Sequence, residues 1–193
     1  MADWYDKVIS ALGLDKCRTD RLCGIVDREV VELDPPQWNQ PVRVTLNRMS
    51  DGRRILMFQV GAFSEGELWP MPCSNGNAKA LREFLSRAEN HLPPVGAPES
   101  PKPSEFGGIR GRLSRGQPVE AMPRLPHRHL DGKVDLRLLV NRRGGHFLVM
   151  TARGSRCRFD YCWRWSRSLA TQWQKVLAAL ESGITDWPHE VQV

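Results

Sequence analysis

The sequence predicts an α+β protein built from two β-β-β-β-α repeats, each an antiparallel sheet packed on one helix. Three observations lead there. Two amphipathic helical stripes each follow a run of strand-like segments. A joint containing Pro93, Pro94, Pro98, Pro101 and Pro103 separates the halves, and proline's fixed φ and missing N–H suit a surface linker. From Ile55 and Phe147 onward the halves align at a constant offset of 92, pairing Trp69 with Tyr161, Ala78 with Ala170 and Leu85 with Leu177. A chain of 193 residues is long enough to bury a real core.

Residues 1–21 read as a helical extension, with Trp4, Val8, Ile9 and Leu12 on one side of a helix near Asp3–Leu12. The first repeat spans 22–92. Strands are expected near 24–33, 42–48, 54–61 and 67–71, interrupted by Pro35-Pro36, then a helix with Leu81, Phe84, Leu85 and Ala88 inward. Asn77 or Asn75 is the expected cap. Residues 93–107 form the linker, and the second repeat spans 108–183. Its start, Gly108-Ile109, resembles Gly24-Ile25 at an offset of 84, and Val140-Asn141-Arg142 resembles Leu46-Asn47-Arg48.

Period-2 alternation is clearest in this second half. Val134, Leu136, Leu138 and Val140 alternate with Asp135, Arg137, Leu139 and Asn141; Arg142-Arg143-Gly144-Gly145 then turns the chain into Phe147–Ala152. Next, Cys157, Phe159, Tyr161, Trp163 and Trp165 share one face, while Arg156, Arg158, Asp160, Cys162 and Arg164 share the other. Ser166 can cap a helix that runs to Ser182 and ends at Gly183, with Leu169, Trp173, Val176, Leu177 and Leu180 on its apolar side. Residues 184–193 remain as a tail.

Net charge is +6, but it is unevenly spread. Residues 108–167 hold 14 Lys+Arg and 4 Asp+Glu, a local balance of +10, and the other 133 residues sum to −4. A concentrated positive field points to an acidic partner, most often nucleic acid. If the aromatic residues of the last strand face the helix, Arg156, Arg158 and Arg164 face away from it, joined by Arg137 on the neighbouring strand. Arg142, Arg143 and Arg153 sit at strand ends. The result is an open basic sheet face.

This pattern resembles the PUR (purine-rich element binding) repeat, over roughly residues 22–92 and 107–183. The strand–turn–strand Val134–Asn141, Arg142–Gly145 and Phe147–Ala152, with the apolar helix that follows, carries the likeness. Whirly-type single-strand binders share a similar doubled layout. The resemblance implies two intertwined repeats that bind single-stranded DNA or RNA without catalysis. By position it implies contacts from Arg137, Asn141, Arg142 and Arg143 in one half, and from Arg43, Asn47, Arg48 and Arg54 in the other. Phe147 and His146 are the candidates for the family's base-stacking aromatic. The acids Asp27, Glu29, Glu32, Asp51, Glu65 and Glu67 make the first half a weaker or different contributor.

Other chemistry lacks its motifs. Cys17–Cys23 and Cys157–Cys162 miss the spacing of a zinc site, His127 and His129 have no partner motif, and no phosphate-binding glycine loop occurs. No cofactor is therefore expected. A nuclease would have Asp135 and Asp160 as its candidate acids inside the basic region. Five scattered cysteines and the lack of a secretory pattern near Met1 lead to the expectation of an intracellular protein, and no apolar run is long enough to cross a bilayer. The leading expectation is a non-enzymatic single-strand binder, with homodimerisation open. The alternative is a protein-interaction scaffold of the same fold, for which Trp38 and Trp187 would offer exposed contacts.

Overall fold

The computed structural model describes residues 22–34, 42–49, 51–60, 67–94, 116–122, 133–141, 144–153 and 158–187. Strands β1 (Leu22–Leu33), β2 (Val42–Met49), β3 (Arg54–Val60) and β4 (Glu67–Pro72) precede helix α1 (Asn75–Glu89). The second half repeats the order with β5 (Gln117–Ala121), β6 (Lys133–Val140), β7 (His146–Arg153), β8 (Arg158–Arg164) and helix α2 (Arg167–Ser182). Each set of four strands forms an antiparallel sheet in sequential order, β1-β2-β3-β4 and β5-β6-β7-β8. The protein is thus α+β, with two four-stranded antiparallel sheets and two helices among the described residues.

One shift of 92 relates the ladders of the two sheets. Leu46 pairs with Leu56, and Leu138 with Leu148. Phe58 pairs with Trp69, and Met150 with Tyr161. Even an irregularity repeats: β1 slips between Val26 and Arg28, and β5 slips between Pro118 and Glu120. The hairpin turns match as well. The Met49 N–H donates to Arg53 O at 2.8 Å, and the Asn141 N–H donates to Gly145 O at 2.9 Å. Gly52 and Gly144 each close the turn at φ +85° and +76°, a region where glycine pays no Cβ penalty.

This register corrects two sequence alignments. Gly24 corresponds to Gly116, so the second sheet begins at β5; Gly108-Ile109 lies outside the described residues. β5 escapes a strand pattern because Pro118 interrupts it, which an edge strand tolerates. Asn47 corresponds to Leu139 and Asn141 to Met49, so the two asparagines are not equivalent. The similar triplets around them differ in register by two residues.

The helices begin on serine caps at matched positions. Ser74 Oγ accepts from the Asn77 N–H and Ser166 Oγ from the Leu169 N–H. Asn77 is therefore not the cap; its Nδ2 donates instead to Pro72 O at 2.8 Å. Leu81, Phe84, Leu85 and Ala88 are buried, as are Leu169, Trp173, Val176, Leu177 and Leu180.

What each helix covers is the less obvious point. α2, from the second half, lies against β1 and β2, and α1 lies against β5. Trp173 of α2 stacks on Phe58 of β3 with ring centroids 5.9 Å apart. Trp165 Nε1 donates to Ala88 O of α1 at 2.9 Å, and Trp163 Nε1 donates to Asp34 O at 2.6 Å. The helices run antiparallel: Arg82 Nη2 donates to Glu181 Oε1 at 2.7 Å and Gln174 Nε2 to Glu89 Oε1 at 2.8 Å. These two bonds are each other's image under the shift of 92. Side chains from both halves share one hydrophobic core.

The chain after α2 closes onto the first sheet. The Thr185 N–H donates to Cys73 O at 3.0 Å, and the Arg54 N–H to Thr185 Oγ1 at 3.2 Å. Trp187, expected to be exposed, is 7% accessible, with the Arg53 guanidinium 4.4 Å from its ring centroid. That cation–π contact and the burial of the indole bind the segment down. Trp38 and the helix expected near Asp3–Leu12 lie outside the described residues.

Candidate nucleic-acid interface

Strand alternation assigns the faces. Leu136, Leu138, Leu148, Met150, Trp163 and Trp165 join the shared core. The opposite side of the second sheet carries Asp135, Arg137 and Leu139 from β6, Phe147, Val149 and Thr151 from β7, and Cys162 and Arg164 from β8. The ladder arranges this side in cross-strand rows. Leu139, Phe147 and Arg164 form the row next to the hairpin turn. Arg137, Val149 and Cys162 follow, then Asp135, Thr151 and Asp160, and finally Lys133, Arg153 and Arg158.

Composition on this side differs from an open basic sheet. Leu139, Phe147, Val149 and Cys162 make a second, separate apolar cluster, with Val149 0% and Phe147 8% accessible. Arg137 and Arg164 share the cross-strand rows of this buried cluster. Arg137 is half-buried and its Nη2 donates to Thr151 Oγ1 at 3.1 Å. Arg164 is half-buried and stands in register with Phe147. Asp135 is buried. Alternation alone could not foresee the apolar row, because β6 and β7 carry apolar residues at both parities, a pattern of strands buried on two faces.

Phe147 is the residue whose placement matters most for the base-stacking question. It leaves the main core and sits on the arginine-bearing side, one row from the turn. His146, the other candidate, lies at the inner end of the ladder against α1. Its ring centroid is 5.1 Å from that of His91. Partial burial, with His91 beside it, lowers the His146 imidazole below its ordinary 6.5.

The turn itself is held by Asn141. Its Oδ1 accepts from the Gly145 N–H at 2.8 Å, a side chain standing in for a backbone turn acceptor. Arg142, Arg143 and Arg156 lie outside the described residues. Arg153 and Arg158 are opposite one another in the ladder.

In the first half the four sequence-predicted residues do not share a face. Arg43 and Asn47 have the outer parity of β2, whereas Arg48 and Arg54 face each other at the hairpin end with the inner parity. Arg43 Nε lies 3.4 Å from Glu29 Oε2. Asn47 Nδ2 donates to Thr45 Oγ1 at 2.8 Å. Arg53 Nε donates to Asp51 Oδ2 at 2.9 Å, so charge at this turn is internally matched. The shift of 92 aligns Asp51 in sequence with Arg143, which lies outside the described residues. The acid-rich reading of the first half thus acquires specific partners.

Among the described residues no group of three or more His, Cys, Asp or Glu side chains is arranged to hold a metal ion. Burial and apolar surroundings push the Cys73 thiol up to about 12, which leaves it protonated and a poor nucleophile. No helix among the described residues is long and apolar enough to cross a membrane. No protein-family model, no curated protein and no solved structure matches the chain.

Proposed function

We propose that the protein binds single-stranded DNA or RNA without catalysis, through the outer side of the second sheet and the Asn141–Gly145 turn. The observation that carries this reading is the register of that sheet. It gathers Lys133, Arg153 and Arg158 into one row and places Arg137 and Arg164 toward the turn, with Phe147 among them. Arginine offers forked hydrogen bonds to phosphate. Two β4α halves with exchanged helices support a PUR-type assignment, and the internally paired charges of the first half support a one-sided interface. A Whirly-type relationship would carry the same activity.

Titration of labelled single-stranded DNA, single-stranded RNA and duplex at two salt concentrations tests the reading. Single strands should be preferred, and affinity should fall steeply with salt as counterions are released. No binding at low salt, or preference for duplex, overturns it and leaves the protein-interaction module as the better reading. Replacing Arg142 and Arg143 together with alanine should reduce the salt slope by about 0.7 per lost phosphate contact. An unchanged slope moves the site away from the turn.

A further inference from the structure

The two seams between helix ends and sheets are equivalent in position and different in chemistry. At the first seam Gly183, just after α2, approaches the first sheet so closely that a Cβ there would meet Cys73 Sγ and Leu46 Cδ1 at 3.0 Å. Among the described residues this contact contains no group that titrates near neutrality. The shift of 92 places His91 where Gly183 stands, just after α1, and His146 where Arg54 stands. Two imidazoles therefore meet at the second seam, tilted at 41° with centroids 5.1 Å apart.

The charged neighbours of this pair come from three elements. From α1, Arg87 Nε donates to Glu120 Oε2 at 2.8 Å, and its Nη2 donates to Ala121 O at 3.3 Å. From β5, Glu120 places its other oxygen 3.6 Å from His91 Nε2. From the start of α2, Arg167 Nη2 donates to Pro93 O at 3.4 Å, beside the end of α1. Glu120 thus serves Arg87 and His91, and among the described residues no carboxylate pairs with His146. The β8 end of the seam is held by the Trp165 N–H, which donates to His146 O at 2.9 Å, and by the Trp165 indole on Ala88 O.

We propose that the His91–His146 contact is an acid-sensitive latch holding the end of α1 against the turn end of the β6–β7 hairpin. A proton on His146 enters a partly buried site beside a second imidazole, and among the described residues the carboxylate of Glu120 is engaged by Arg87 and His91. Opening the seam lets the His146 ring take its proton in water. The sign follows from His146 being lowered in the fold: between the folded value and 6.5 the unfolded chain binds more protons. The latch is therefore fully closed above 6.5 and loses stability as pH falls through it.

The test needs no nucleic acid, so its failure leaves the proposed function untouched. In the full-length protein, imidazole resonances and amide exchange are followed between pH 7.5 and 5. His146 should titrate below 6.5 and move back up in His91→Gln. Protection of the Trp165 amide and indole, corrected for intrinsic rates, should drop by at least tenfold at the acid end. His146→Gln should flatten the corresponding fall in the urea midpoint. A His146 that titrates at or above 6.5, unchanged Trp165 protection, or an identical acid fall in His146→Gln each overturns the latch.

Discussion

At Gly183 the backbone passes with no room for a side chain, because Cys73 Sγ and Leu46 Cδ1 both sit 3.0 Å from where a Cβ would be. Neither neighbour can retreat freely, since Cys73 and Leu46 are themselves buried. Gly183→Ala should therefore destabilise the fold by about 1–3 kcal/mol, the usual range for overpacking. Urea denaturation would show it as a lower midpoint at an unchanged slope. The same substitution should cost less in a Cys73→Ala background, where the sulfur is gone, and a double-mutant cycle would read the difference as coupling. Equal costs in both backgrounds would mean that another neighbour, such as Ala179 O at 3.3 Å, sets the limit.

At the level of elements, the serine caps are the simplest lever. Ser166→Ala should cost about 1 kcal/mol. Ser74→Ala should cost more, toward about 2 kcal/mol, because Ser74 is fully buried and water cannot replace the lost acceptor for the Asn77 N–H. Thermal or urea melts of the two variants would rank them, and a reversed order would locate the burden elsewhere.

Both helices were legible from their apolar stripes, and so was the cap at Ser166. Ser74 was not, because Asn75 and Asn77 follow it, and serine and asparagine both cap well. The strand parity of Trp163 and Arg164 was legible from alternation. The apolar cluster of Leu139, Phe147 and Val149 was not, since β6 and β7 carry apolar residues on both sides. Periodicity tells that a helix has a face to bury and is silent on which sheet buries it. The exchange of α1 and α2 therefore had to come from the structure, as did the seam of His91, Glu120 and His146, whose members are far apart in sequence.

For the whole molecule, the exchanged helices mean that neither half encloses its own core. A fragment of residues 1–100 would hold β1 and β2 without α2, exposing Val44, Leu46 and Phe58, the last deprived of its Trp173 stack. Burying that surface requires the other half, since each helix lies on the sheet it does not follow in sequence. Fragments 1–100 and 101–193 expressed together should therefore co-purify in equal amounts and melt in a single transition, while either alone should give no cooperative melt. Cooperative unfolding of residues 1–100 alone would contradict this account.

The clasp of the two helices also has a mechanical side. Because Arg82–Glu181 and Gln174–Glu89 lie symmetrically across an antiparallel helix pair, a pull separating the two sheets loads both bonds and both helix–sheet contacts together. The halves cannot peel away one contact at a time. A force applied to the second sheet would be resisted by the full molecule, much as a shackle shares load between its two arms.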